Sequence, residues 1–119
     1  MKIVVTAKGE GLASPVDERF GRAAAFVVYD TVTKKAVGVS NDQSLQATQG
    51  AGIQAAETVS RLGAECLLTG HCGPKAFRAL SAAGIRVYNG ARGTVADAVA
   101  AFEAGTLTAA TAADVDGHW

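Results

Sequence analysis

The sequence predicts an α/β domain built on a mixed five-stranded sheet, an antiparallel meander followed by parallel strands, with helices covering it. Three observations carry this expectation. Apolar, largely β-branched runs at residues 3–5, 25–30 and 36–39 lie close together, the last two separated only by the polar residues 31–35, as in a hairpin. From residue 51 onward, helical periodicity alternates with short apolar runs at residues 66–69 and 85–88, and strands joined by helices lie parallel. Gly63, Gly84 and Gly105 each follow a helical pattern at even spacing, the position where a helix stops in the left-handed conformation.

The elements follow in chain order. Ile3-Val4-Val5 opens the first strand, closed by Lys8-Gly9-Glu10-Gly11. Ser14-Pro15 then predicts a short helix or turn ending at Phe20-Gly21-Arg22, with Ser14 as N-cap, Pro15 in the first position and Asp17 and Glu18 near the positive end. Residues 41–50 are polar, Gln-rich and without periodicity, which predicts a loop. Ile53, Ala56, Val59 and Leu62 recur at helical spacing. Pro74 opens a second helix with inner face Ala76, Phe77, Leu80 and Ala83. Thr94 and Asp97 form a capping box for a third, burying Val95, Ala98, Val99 and Phe102. The tail after residue 107 is weakly patterned.

The 119 residues favour one compact domain. About half of them, 49%, are apolar, enough for a core. Eleven basic side chains balance eleven acidic ones, so bulk electrostatics give no reason to expect a nucleic acid or membrane partner. No apolar run approaches the ~20 residues that span a bilayer, and the N-terminus lacks the apolar region of a signal peptide. Two cysteines make no disulfide framework, so a cytoplasmic protein with free thiols is expected. Cys66, inside an apolar run, reads as a packing residue. Cys72, in a Gly-rich turn, is expected to be accessible.

Chemistry concentrates in Gly70-His71-Cys72-Gly73-Pro74-Lys75, at a strand-to-helix turn. In open sheets of this kind ligands gather beyond the carboxyl ends of parallel strands, so three loops should converge there: residues 8–11, 70–75 and 89–93. His71-Cys72 followed by Arg78 fits the bare H-C-x5-R pattern of cysteine phosphatases. Pro74 offers no N–H to wrap a phosphate, and Lys75 stands where that family has glycine. Adjacent His71 and Cys72 do not make a closed zinc site, which needs four ligands at spacings such as C-x2-C; the other imidazole, His118, lies in the tail. A third reading needs no covalent ligand. Helices starting after Gly73 and Gly93 would each offer unpaired N–H groups and a positive dipole end to an anion, with Lys75, Arg92, Arg19 and Arg22 adding local charge. Against it stands the plain alternative that glycines serve the turns and lone arginines are solvated.

Two stretches are recognisable together. Residues 14–23, SPVDERFGRA, resemble the S-x-x-x-x-x-F-G-R-A signature of the dinitrogenase iron–molybdenum cofactor biosynthesis family. Gly50-Ala51-Gly52, Gly70 to Ala76, Gly84 to Tyr88 and Gly90 to Val95 resemble its other landmarks, in order from residue 2 to about 107. The resemblance implies a ribonuclease H-like fold, with one cluster-binding domain over residues 1–107 and a tail over 108–119. It implies a non-enzymatic carrier or store for an anionic molybdenum-containing metal–sulfur cluster held non-covalently. The cargo expected is a molybdenum–copper sulfide cluster, with tetrathiomolybdate or an iron–molybdenum cofactor precursor as related species. Cluster-assembly proteins would be its partners. The candidate binding residues are Arg19 and Arg22; Gly70, His71, Cys72, Gly73 and Lys75; and Asn89, Ala91, Arg92 and Gly93. Cys72 is the candidate metal ligand, since a soft thiolate suits Cu(I). The alternatives are a thiol enzyme or redox sensor using Cys72, or an adaptor that contacts its partners through residues 41–50.

Overall fold

The computed structural model describes residues 1–41 and 50–110. Strands β1 (Lys2–Ala7), β2 (Ala25–Asp30) and β3 (Ala36–Ser40) form the meander. Helix α1 (Ala51–Arg61), β4 (Cys66–Leu68), α2 (Pro74–Ala82), β5 (Arg86–Tyr88) and α3 (Val95–Glu103) follow in alternation. The sheet order is β3-β2-β1-β4-β5. β1 pairs antiparallel with β2 and parallel with β4, and β4 pairs parallel with β5. The mixed five-stranded sheet is therefore as the sequence predicts.

Side-chain alternation along the strands divides the core into two layers. Ile3, Val5, Val27, Cys66 and Leu68 face α3, where they meet Val95, Ala98 and Val99. Val4, Phe26, Leu67 and Val87 face α1 and α2, where they meet Ala55, Val59, Ala76 and Leu80. α1 turns a small-residue stripe inward: Ala51, Ala55, Ala56 and Val59 are buried, whereas Ile53, expected on the inner face, is 39% exposed. Ile53 lies off that stripe, and the helices pack closely along it. A Cβ on Gly52 would lie 3.1 Å from the Ala76 Cβ, which leaves no room for a large side chain at position 52. Ala83, also expected inside, is exposed. α3 begins with the expected capping box, Thr94 and Asp97 exchanging side-chain-to-backbone hydrogen bonds.

At the far end of the sheet, Asp30 closes the β2–β3 hairpin. Its Oδ1 accepts hydrogen bonds from Val32 N at 2.8 Å and Thr33 N at 3.3 Å. Those two backbone donors hold its carboxyl below the usual range.

Two expectations about the connections are corrected. Residues 14–20 form no helix. Pro15 and Val16 are extended and bridge to Thr94 and Ala7, and Arg19 bridges to His71. Ser14 Oγ accepts from Gly11 N at 3.1 Å, so the side chain expected to cap a helix closes a turn behind it instead. Second, the 8–11 loop does not join the other two. It folds across the sheet onto β3, where a Cβ on Gly38 would come within 2.6 Å of Glu10 Cα. Beyond residue 107 the described chain goes on pairing. Ala109 bridges antiparallel to Tyr88, and Ala110 N donates to Val87 O at 2.7 Å. Of the loop contact surface expected at 41–50, residues 42–49 lie outside the described residues, as does His118.

Candidate functional site

The register brings four connecting segments to one rim. Ala7, at the end of β1, sits opposite Ala25, and Ala25 sits opposite Ser40. The parallel neighbours β4 and β5 end at the same edge. Residues 17–24, 40–41, 69–76 and 89–93 therefore meet beyond the carboxyl ends of β1, β4 and β5, the place where such sheets bind ligands. Two grooves lie elsewhere. One of about 370 Å³ runs between α1 and α2 beside Arg61, and one of about 390 Å³ lies along β5 beside Arg86; neither is lined by a residue of this rim.

A buried polar link underlies the rim. Thr6 Oγ1 lies 2.7 Å from Asp17 O and 2.8 Å from Thr69 Oγ1. Thr6 and Thr69 are fully buried, so the ends of β1 and β4 are tied to the segment that carries the arginines. That segment is laid against the 70–73 turn. His71 N donates to Glu18 O at 2.8 Å and Phe20 N to His71 O at 3.3 Å. Gly70 is required by this close approach: a Cβ there would sit 2.7 Å from both Glu18 Cα and Glu18 O. On its other side the turn accepts Gly90 N at Gly70 O and Ala91 N at Thr69 O, both at 3.0 Å. The 70–75 and 89–93 loops thus converge as expected, with residues 15–20 in the place foreseen for 8–11.

The two helix starts differ. At α3 the first-turn donors are already taken. Val95 N donates to Ser14 O at 2.9 Å, Ala96 N to Leu12 O at 3.0 Å and Asp97 N to Thr94 Oγ1 at 3.1 Å. Residues 12–16 occupy the place an anion would take, so the expected anion cradle after Gly93 is closed. At α2 no side chain caps the start. Phe77 N makes the first helical bond, to Gly73 O at 2.9 Å, and among the described residues nothing accepts from Lys75 N or Ala76 N. With Pro74 lacking an N–H, those two amides are the first-turn donors left without a partner among the described residues. Lys75 is exposed in the same turn.

The remaining candidates separate by burial. Arg19 and Arg92 are exposed, and Arg22 and His71 are half-buried, all on the rim. Ala91, 3% exposed, belongs to the core beneath α3. Gly93 serves its turn, with φ 78° and its carbonyl accepting from Val16 N at 2.8 Å. Asn89 carries a buried Oδ1 with no hydrogen-bond partner among the described residues. Cys72 is not accessible. It is 0% exposed, packed with Phe20, Leu67 and Ala76 in the α1–α2 layer, with Sγ 3.7 Å from Gly73 O. The turn sends its thiol into the core, which removes the geometry a thiol nucleophile needs. Cys66 is buried as expected, on the opposite face, and burial pushes its thiol pKa up. No group of three or more His, Cys, Asp or Glu among the described residues is placed to hold a metal ion, and no helix there is long and apolar enough to cross a membrane.

Residues 1–105 match the family described as dinitrogenase iron-molybdenum cofactor. The chain belongs to this family. Among solved structures, the apo form of the orange protein from Desulfovibrio gigas is 49% identical, covers 96% of each chain and superposes with a TM-score of 0.94. A Thermotoga protein determined by NMR is 33% identical over 98% of each chain, with a TM-score of 0.84. A protein from Methanocaldococcus jannaschii has a TM-score of 0.71 at 14% identity, covering 94% of this chain and 96% of its own, a likeness that concerns the fold alone. No curated protein sequence matches the chain significantly.

Four residues that shape this family member's rim went unassigned as site residues in the sequence reading: Thr6, Asp17, Asn41 and Thr69. Asp17 stands three residues before Phe20, where a helix start was expected, and Asn41 opens a stretch that reads as a polar loop. Thr6 and Thr69 each extend an apolar run by one polar residue. That is a signal for a strand end, though not for the bond between them.

Proposed function

We propose that this protein binds an anionic molybdenum-containing metal–sulfur cluster non-covalently, as a carrier or store without turnover. The cargo is of the molybdenum–copper sulfide type, with tetrathiomolybdate and iron–molybdenum cofactor precursors as related species. The observation that carries this reading is the uncapped start of α2 beside the Arg19–His71 bridge. In this reading the amides at that start, Lys75 and the rim arginines face the cargo, while both thiols are buried. A sulfide-rich cluster brings its own sulfur ligands, so it needs donors and cations around it more than thiolates from the protein. Family membership and the likeness to the orange protein support the same reading. We assign the strand order β3-β2-β1-β4-β5 to the ribonuclease H-like class. In this account Arg19, Arg22, His71, Lys75, Asn89 and Arg92 surround the cargo, with Gly70 and Gly73 shaping the turn. Cluster-assembly proteins in the cytoplasm are its suppliers or recipients.

Titration of the protein with tetrathiomolybdate and cuprous ion tests this. The expected result is a coloured complex of fixed stoichiometry that co-elutes with protein on gel filtration. Molybdenum and copper eluting as small molecules would contradict it. Arg92→Ala is expected to weaken retention, whereas Cys66→Ser should lower stability and leave retention in place.

A further inference from the structure

We infer that Asp17 and Asn41 are positioning residues of the anion site, a pair of buried side chains that clamp the arginine-bearing loop 19–24 from opposite sides. This rests on the cargo reading above. The loop lies outside every strand, so its backbone groups need partners other than a ladder. Asp17, 7% exposed, supplies two acceptors: Oδ1 takes Arg19 N at 3.2 Å and Oδ2 takes Ala24 N at 3.3 Å. Asn41, 2% exposed, supplies donors: its Nδ2 lies 2.8 Å from Ala23 O and 3.5 Å from Gly21 O. Its own N–H bonds to Ala24 O at 3.1 Å. Among the described residues the carboxylate meets only N–H groups and the amide nitrogen only carbonyls, so the two side chains are not interchangeable.

The charge of Asp17 sharpens the inference. A carboxylate beneath an anion site opposes the anion, and attraction does not explain its presence. What it supplies is the fixed shape of the loop, with one arginine on either side of Phe20-Gly21. A loop ordered before the anion arrives loses less freedom on binding. Asp17→Asn would turn an amide N–H toward one of the two backbone donors, and Asn41→Asp would turn an oxygen toward Ala23 O. Each substitution loosens the arm while leaving both arginines in the chain.

The test is a double-mutant cycle, with tetrathiomolybdate plus cuprous ion as the probe. Asp17→Asn is expected to weaken binding about tenfold in the wild-type background. In the Arg19→Ala/Arg22→Ala background it should add no further loss, because the clamp acts through the arginines. Equal losses in both backgrounds, or no loss in either, overturn the inference while the cargo reading stands. Absence of binding by the wild-type protein overturns the cargo reading instead. Amide hydrogen exchange on the wild-type protein judges the clamp without ligand or mutation. Slow exchange at Arg19 and Ala24 N–H supports it, and exchange at unprotected rates overturns it. If Asp17→Asn does not fold, Asn41→Ala carries the same cycle.

Discussion

Phe20→Ala is expected to cost about 3–5 kcal/mol of unfolding free energy, the range for truncating a fully buried aromatic side chain. Phe20 is 0% exposed and packs in the α1–α2 layer, its ring centroid 6.1 Å from that of Phe26 at a 40° tilt. The loss is a large fraction of the ~5–15 kcal/mol that stabilises an ordinary domain. It should appear in urea titration as a lower midpoint with an unchanged slope. A second effect follows from position. Phe20 anchors the loop that carries Arg19 and Arg22, and its N–H is bonded to His71 O. The folded fraction of Phe20→Ala should therefore also bind anion more weakly. Leu80→Ala removes another fully buried side chain from the same layer, on α2, and should destabilise while leaving the affinity of the folded protein in place. Equal affinity for the two variants would separate the ring from the site.

Gly70→Ala is expected to cost about 3 kcal/mol, the upper part of the usual range for overpacking. The added methyl would stand 2.7 Å from Glu18 Cα and O. Those are backbone atoms, which no rotamer change can move aside. Relief requires the 15–20 segment to lift away, and with it go the His71 N–Glu18 O and Phe20 N–His71 O hydrogen bonds. Gly11→Ala is the control, since a Cβ there meets nothing within 4 Å, and its expected change is within about 0.5 kcal/mol. Thermal or urea unfolding of the pair measures the difference. A Gly70→Ala protein as stable as Gly11→Ala would show that the two segments are not pressed together.

Much of this was legible in the chain because local chemistry decided it. Pro74 begins α2 and the Thr94–Asp97 box begins α3 at the expected residues, since a cap is specified within one turn of sequence. Gly63, Gly84 and Gly105 all have positive φ, as helix stops should. The failures are tertiary. Ser14-Pro15 carries a sound helix-start pattern, but the extended alternative satisfies more of the backbone, through Thr94, Ala7, Gly93 and His71. Only the folded neighbourhood supplies those partners. Cys72 looked exposed because its neighbours are glycines; which way a side chain leaves such a turn is set by the path of α2, and here it leads inward. The start of α3 looked open for the same reason, because a segment eighty residues earlier fills it.

The central claim is that one rim receives an anion through amide hydrogens and cationic side chains while both thiols stay in the core. Backbone amide chemical shifts, followed as tetrathiomolybdate and cuprous ion are added, test it most directly. The account predicts shifts concentrated at residues 19–24, 70–76 and 89–92, largest at the N–H groups of Lys75 and Ala76. Shifts concentrated instead at the opposite edge, around residues 30–35, 63–65 and 84–86, would contradict it.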